Sequence, residues 1–141
     1  MQTWRLLFAA FAILFLAGVA VQFFLIGLAL TQLGGNGDTS LHVNIGYWLP
    51  IFPLLSLILA WPARAGSRTV WLCVALFVDT FLQGVLPLAR DSVTVIAALH
   101  PVNALVIVGL GLMVARRGIE LVRATASAAE AAAPAPSSPH S

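Results

Sequence analysis

Four apolar stretches, each long enough to cross a lipid bilayer, follow one another with only short polar breaks between them. A helix needs about 20 residues to span the hydrocarbon core. Four such runs in 141 residues leave little chain for anything else. They are expected at about residues 6–30, 41–61, 69–89 and 93–115. In lipid the backbone must satisfy its own polar groups, and long apolar runs without alternation do so as helices. The breaks are Gly34-Gly35-Asn36-Gly37-Asp38, then Trp61-Pro62-Ala63-Arg64-Ala65-Gly66-Ser67-Arg68, then Arg90-Asp91-Ser92. Connections this short force neighbours antiparallel. The expected fold class is all-α: an integral membrane four-helix up-down-up-down bundle, built from two similar helical hairpins.

Composition agrees, with 60% hydrophobic and 9% charged residues against roughly 25% charged in soluble domains. The chain divides into a four-span domain, 1–123, and a tail, 124–141, of Ala, Pro and Ser with Glu130 and His140. Such a tail lacks the apolar surface to order itself, although its Ala run favours helix to about Ala133. All seven basic residues are Arg. Arg5, Arg64, Arg68, Arg116, Arg117 and Arg123 fall on one side and Arg90 alone on the other. The positive-inside rule then sets both termini in the cytoplasm. Trp4, Trp61 and Trp71 sit at that side, at headgroup depth. The first apolar run continues to about Leu30, beyond a signal-peptide core of roughly 7–15 residues, so the span is expected to be retained. No basic stripe suggests nucleic acid. The lone Cys73 reads as a small buried hydrophobe.

Polar residues inside the spans carry the functional signal, because each is costly in lipid. Gln22 leads to Leu41-His42-Val43-Asn44, and Gln83 leads to Leu99-His100-Pro101-Val102-Asn103. The Gln-to-His spacings are 20 and 17 residues, and the longer first loop absorbs the difference. Two parallel copies of one hairpin imply a pseudo-two-fold axis along the membrane normal. That axis brings His42 and His100 to one depth on opposite inner faces. Residues three or four apart share a helix face, so His42 is grouped with Gly46, His100 with Asn103 and Ala104, Gln22 with Gly18, and Gln83 with Asp79. Pro50, Pro53 and Pro87 are expected to kink their spans. Pro101 either opens a helix or bends one that starts near Asp91-Ser92; the second leaves enough length to span.

Neutral imidazoles are axial ligands for haem iron, and facing helices of a bundle can hold the cofactor. His42 and His100 are the candidate ligands, with Gln22, Gln83, Asn44 and Asn103 orienting them and Arg90 available to a propionate. The plainer alternative is that each His packs in the bundle, hydrogen-bonded to Gln or to a freed carbonyl. Zinc is a poorer match, since it takes three or four protein ligands. Asp79 is the only acid within a span. It either relays protons or sits hydrogen-bonded to Thr80 or Gln83. Gly109-Leu110-Gly111 reads as close helix packing. No nucleophile motif or phosphate loop appears, and enzymatic activity is not the expectation.

Val21-Gln22-Phe23-Phe24-Leu25-Ile26-Gly27, Leu41-His42 with Gly46-Tyr47, Leu82-Gln83-Gly84 and Leu99-His100-Pro101-Val102-Asn103-Ala104-Leu105 resemble a family of small bacterial four-span proteins, domain of unknown function 6220, over about residues 4–118. No activity follows from that resemblance. A more distant likeness is to one half of haem A synthase-type membrane proteins. It implies that His42 and His100 ligate a b-type haem. The chain departs from that pattern in having one four-helix unit and no Glu beside a ligand His. Three functions stay open: a b-type haem electron-transfer or redox protein, a cofactor-free accessory protein that packs against other membrane subunits or its own copies, and a small carrier using Asp79.

Overall fold

A computed structural model describes residues 1–31, 37–89 and 94–131. The Gly34-Gly35-Asn36 part of the first loop, Arg90 with Asp91 and Ser92, and the tail beyond Ala131 with His140 lie outside the described residues. The fold is all-helical: α1 (Gln2–Thr31), α2 (Ser40–Trp48), α3 (Ile51–Ala60), α4 (Ser67–Val85) followed by a 3₁₀ turn (Leu86–Ala89), and α5 (Thr94–Ala131). Four helical stretches, Gln2–Thr31, Ser40–Ala60, Ser67–Leu88 and Ala98–Ala131, are long and apolar enough to cross a membrane. The second is α2 and α3 in series, broken at Leu49-Pro50. Pro50 has no N–H to donate, and the chain passes the break with Leu49 N bonded to Gly46 O and Phe52 N to Leu49 O. The third ends in the 3₁₀ turn that contains Pro87. Pro101 lies inside α5, so that helix starts upstream of it, as the span length demands.

The helices pack as a square. α1 lies against α3 and α5, and α4 lies against the same two. The second and fourth spans, which carry the two His, are therefore diagonal. At the Arg-rich end the core is apolar: Phe8, Ala12 and Phe15 of α1 meet Ala60, Cys73, Leu76, Val114 and Ala115. Cys73 is fully buried there, as a small apolar side chain. Toward the other end the interior turns polar, with Gln22 and the two His. Outward faces are apolar, with Leu30 76% and Trp61 85% exposed. A continuous apolar exterior of this extent has no place in water and matches acyl chains. The chain is a multi-pass membrane protein.

Two close approaches tie α1 to α5. A Cβ built at Gly118 would fall 2.8 Å from Ala9 Cα, and one at Gly111 would fall 2.9 Å from Leu16 Cδ2. Gly109 has nothing within 4 Å, so only the second glycine of the Gly109-Leu110-Gly111 set serves packing.

Arg5 does more than mark the Arg-rich end of a span. Its Nε donates to Ala63 O at 3.3 Å, and its Nη1 donates to Leu121 O at 3.2 Å and Thr125 Oγ1 at 2.6 Å. One guanidinium thus joins the start of α1, the α3–α4 connection and the end of α5. Hydrogen bonds from a charged donor contribute about 1.5–3 kcal/mol. Arg5→Met is expected to destabilise the detergent-solubilised protein by about 2 kcal/mol, read as a lower thermal midpoint; an unchanged midpoint would assign those contacts no weight.

Candidate functional site

His42 is the third residue of α2. The start of that helix is set by Asp38, whose Oδ1 accepts from Ser40 N at 2.8 Å and whose Oδ2 accepts from Ser40 Oγ at 3.0 Å. Those two donors, the backbone one first, hold the Asp38 carboxyl below its ordinary range. His100 lies in the second turn of α5, immediately before Pro101.

Each His is held by the Gln of its own hairpin, through that residue's backbone carbonyl. His42 Nδ1 is 3.1 Å from Gln22 O, and His100 Nδ1 is 3.0 Å from Gln83 O. Each Gln side chain then reaches back to the carbonyl of its His. Gln83 Nε2 donates to His100 O at 2.8 Å. The Gln22 amide, with its nitrogen turned toward His42, donates to His42 O at 2.9 Å. The amide oxygens are also engaged. Gln83 Oε1 accepts from Asn103 Nδ2 at 3.0 Å, and the Gln22 oxygen accepts from Gly46 N at 3.0 Å. The two hairpins therefore repeat one hydrogen-bond pattern, completed by a side-chain amide in one and a backbone N–H in the other, with a further contact from the Gln22 amide to His42 Nδ1 in the first.

The pattern constrains protonation. Among the described residues only a carbonyl faces His100 Nδ1, so that nitrogen carries hydrogen and the neutral ring keeps a bare Nε2. His42 Nδ1 faces both Gln22 O and, at 2.8 Å, the turned amide nitrogen. The first contact requires a proton on Nδ1 and the second requires none.

Across the diagonal the imidazoles meet: their ring centres are 6.1 Å apart with planes at 71°. Gln22 is buried, and His42, His100, Gln83 and Asn103 are half-buried. Asn44 does not join them. It is exposed and makes no hydrogen bond among the described residues. Two positions past His42, it lies about 200° round the helix, while Asn103 is three positions past His100, on the same face.

Asp79 does not bond to Thr80 or Gln83. The Thr80 hydroxyl donates to Leu76 O at 2.6 Å, and Gln83 is engaged with His100 and Asn103. Asp79 Oδ2 is buried without a partner among the described residues. No three His, Cys, Asp or Glu side chains gather around one point among the described residues. A metal at the His pair would have two imidazoles as its protein donors there.

Residues 22–90 match the DUF6220 family model, a family of unknown function. The DUF6220 match takes in Gln22, His42, Asp79 and Gln83 and stops before His100 and Asn103. No curated protein and no solved structure matches the chain. The likeness to haem A synthase is thus not carried by any match, whereas DUF6220 is.

Proposed function

We propose that the chain is a bacterial inner-membrane protein, both termini cytoplasmic, that holds one b-type haem between His42 and His100 and passes single electrons. The observation that carries this reading is the 6.1 Å separation of the ring centres. At that separation His42 and His100 could both reach one metal ion at an ordinary metal–imidazole distance of about 2.0 Å. The backbone carbonyls of Gln22 and Gln83 support it as well. His100 Nδ1, donating to Gln83 O, leaves its Nε2 lone pair for iron, and His42 does the same when its Nδ1 donates to Gln22 O, the usual division of roles in a ligand His. Gln22 and Gln83 position the rings, and Asn103 acts through Gln83. When bound, haem supplies the Fe(III)/Fe(II) couple. Held by both His42 and His100, haem would supply electron transfer rather than chemistry at an open iron site. The test is a visible spectrum of the protein purified after expression with ample haem. A sharp band on reduction, in a one-to-one complex, is expected. Colourless, monodisperse protein would overturn the reading and leave a cofactor-free subunit that packs against membrane partners.

A second reading rests on the unpartnered Asp79 oxygen. A carboxyl without a hydrogen-bond partner in a span is costly, and one turn from Gln83 it adjoins the polar interior. A proton path through it predicts acidification of proteoliposomes under a membrane potential, lost in Asp79→Asn. Equal rates in both proteins would remove this reading.

A further inference from the structure

At the Arg-rich end, an open cavity of about 490 Å³ lies between the start of α4 and the far half of α5. Gly66, Ser67, Arg68 and Thr69 line it from one side, Arg117 and Glu120 from the other. Gly66 precedes the helix at φ +84°, a conformation that favours glycine, and its carbonyl accepts from Thr69 N and Val70 N, each at 3.1 Å. No side chain caps this terminus, so the Ser67 and Arg68 amides have no acceptor among the described residues. An amide pair at a helix start carries partial positive charge and suits an anion.

Thr69 supplies an independent observation. It is 3% exposed, yet its hydroxyl makes no hydrogen bond among the described residues. The hydroxyls of Thr31, Thr80 and Thr125 each donate to the carbonyl four residues back in their own helices. For Thr69 that residue is Ala65, upstream of the helix, and the bond is not made. A hydroxyl without an acceptor, on a side chain otherwise buried in a cavity wall, is free to donate to an occupant of that cavity. Charge favours an anion too. Arg117 is paired with Glu120 at 2.7 Å, whereas Arg68 has no carboxylate partner among the described residues.

We propose that this cavity binds a phosphoryl oxyanion through Thr69 Oγ1, the Ser67 and Arg68 amides and the Arg68 guanidinium. Trp61 and Trp71, near the cavity's residues in sequence and exposed, are indoles of the kind that anchor at headgroup depth, which favours the phosphate of an anionic lipid; inorganic phosphate is the other source. The test is native mass spectrometry of the full chain released from phosphatidylglycerol and from phosphatidylcholine nanodiscs. Phosphatidylglycerol adducts are expected in excess of phosphatidylcholine ones. They should fall about tenfold in Thr69→Val and in Arg68→Gln and persist in Thr69→Ser, which keeps the hydroxyl. Thr69→Val is close in shape, so its fold is the control if Arg68→Gln misfolds. In a parallel arm, inorganic phosphate is titrated against protein in phosphatidylcholine nanodiscs. Thermal stabilisation there, absent in Thr69→Val, supports the same site with free phosphate as its source. Equal adducts from both lipids with no effect of phosphate, or adducts unchanged in Thr69→Val, overturn the proposal.

Discussion

His42→Ala and His100→Ala are each expected to abolish the reduced-state visible band of the purified protein, not merely to weaken it. Under the proposed ligation the site offers two protein donors, so removing either would leave iron with one imidazole. Whatever haem remains would be high-spin, with a different band shape. Variants of the positioning residues should behave in degrees. Gln83→Leu removes the amide that grips His100 O at 2.8 Å and holds Asn103 at 3.0 Å, but leaves the residue's backbone carbonyl to accept from His100 Nδ1. A loss of about 10–100-fold in haem affinity is expected, typical of residues that orient ligands. Asn44→Ala should leave both band and affinity unchanged, because Asn44 is exposed. The series separates ligation from general damage: a variant that lost its band through misfolding would also lose monodispersity in detergent. Retention of the band in both single His variants would place haem elsewhere or rule out this ligand pair.

The fold was legible because lipid leaves so few options. Apolar runs of sufficient length must be helices, and short breaks must return the chain. Pro101 falls inside α5 because the span needs that length, and the break at Leu49-Pro50 follows from proline's missing donor. The meeting of His42 and His100 was legible too, because two matched hairpins bring equivalent residues to one height. What failed was the matching of letters where helix geometry needed matching of spacing. Asn44 and Asn103 both follow a His, but at two and three positions. Only the second interval returns to the same face. The counterpart of Asn103 in the first hairpin is the backbone N–H of Gly46, and every residue but proline has one, so no letter could mark it. The bonding partner expected for Asp79 in Thr80 is engaged elsewhere, for another reason. A threonine hydroxyl in a helix closes on its own chain four residues back, so Thr80 was spent on Leu76 O. Arg5 was readable as a topology marker, but not as a clamp. Its partners are two carbonyls and a hydroxyl as far as 120 residues away in sequence, and only the folded square brings them together.

Gly118→Leu is expected to have the largest effect on stability of any single change outside the polar cluster. The added Cβ would meet Ala9 Cα at 2.8 Å, Ala9 Cβ at 3.0 Å and Ala9 N at 3.3 Å. Backbone atoms cannot rotate away as the end of a flexible side chain can, so α1 and α5 must separate. Overpacking of this kind costs about 1–3 kcal/mol where side chains can yield, and more where they cannot. Separation also carries Arg5 away from Leu121 O and Thr125 Oγ1, so the cost of the clash and the loss of the clamp add. Loss of monodisperse protein, or a fall in thermal midpoint larger than that of Arg5→Met, is the expected result. Gly109→Ala is the control on the same helix. Nothing lies within 4 Å of its Cβ position, and alanine is favoured over glycine in a helix by roughly 0.5–1 kcal/mol. That variant should be as stable as the parent or more so. If Gly118→Leu matched Gly109→Ala in stability, the close contact of α1 with α5 would not exist in the folded protein, and the square packing that sets His42 opposite His100 would lose one of its sides.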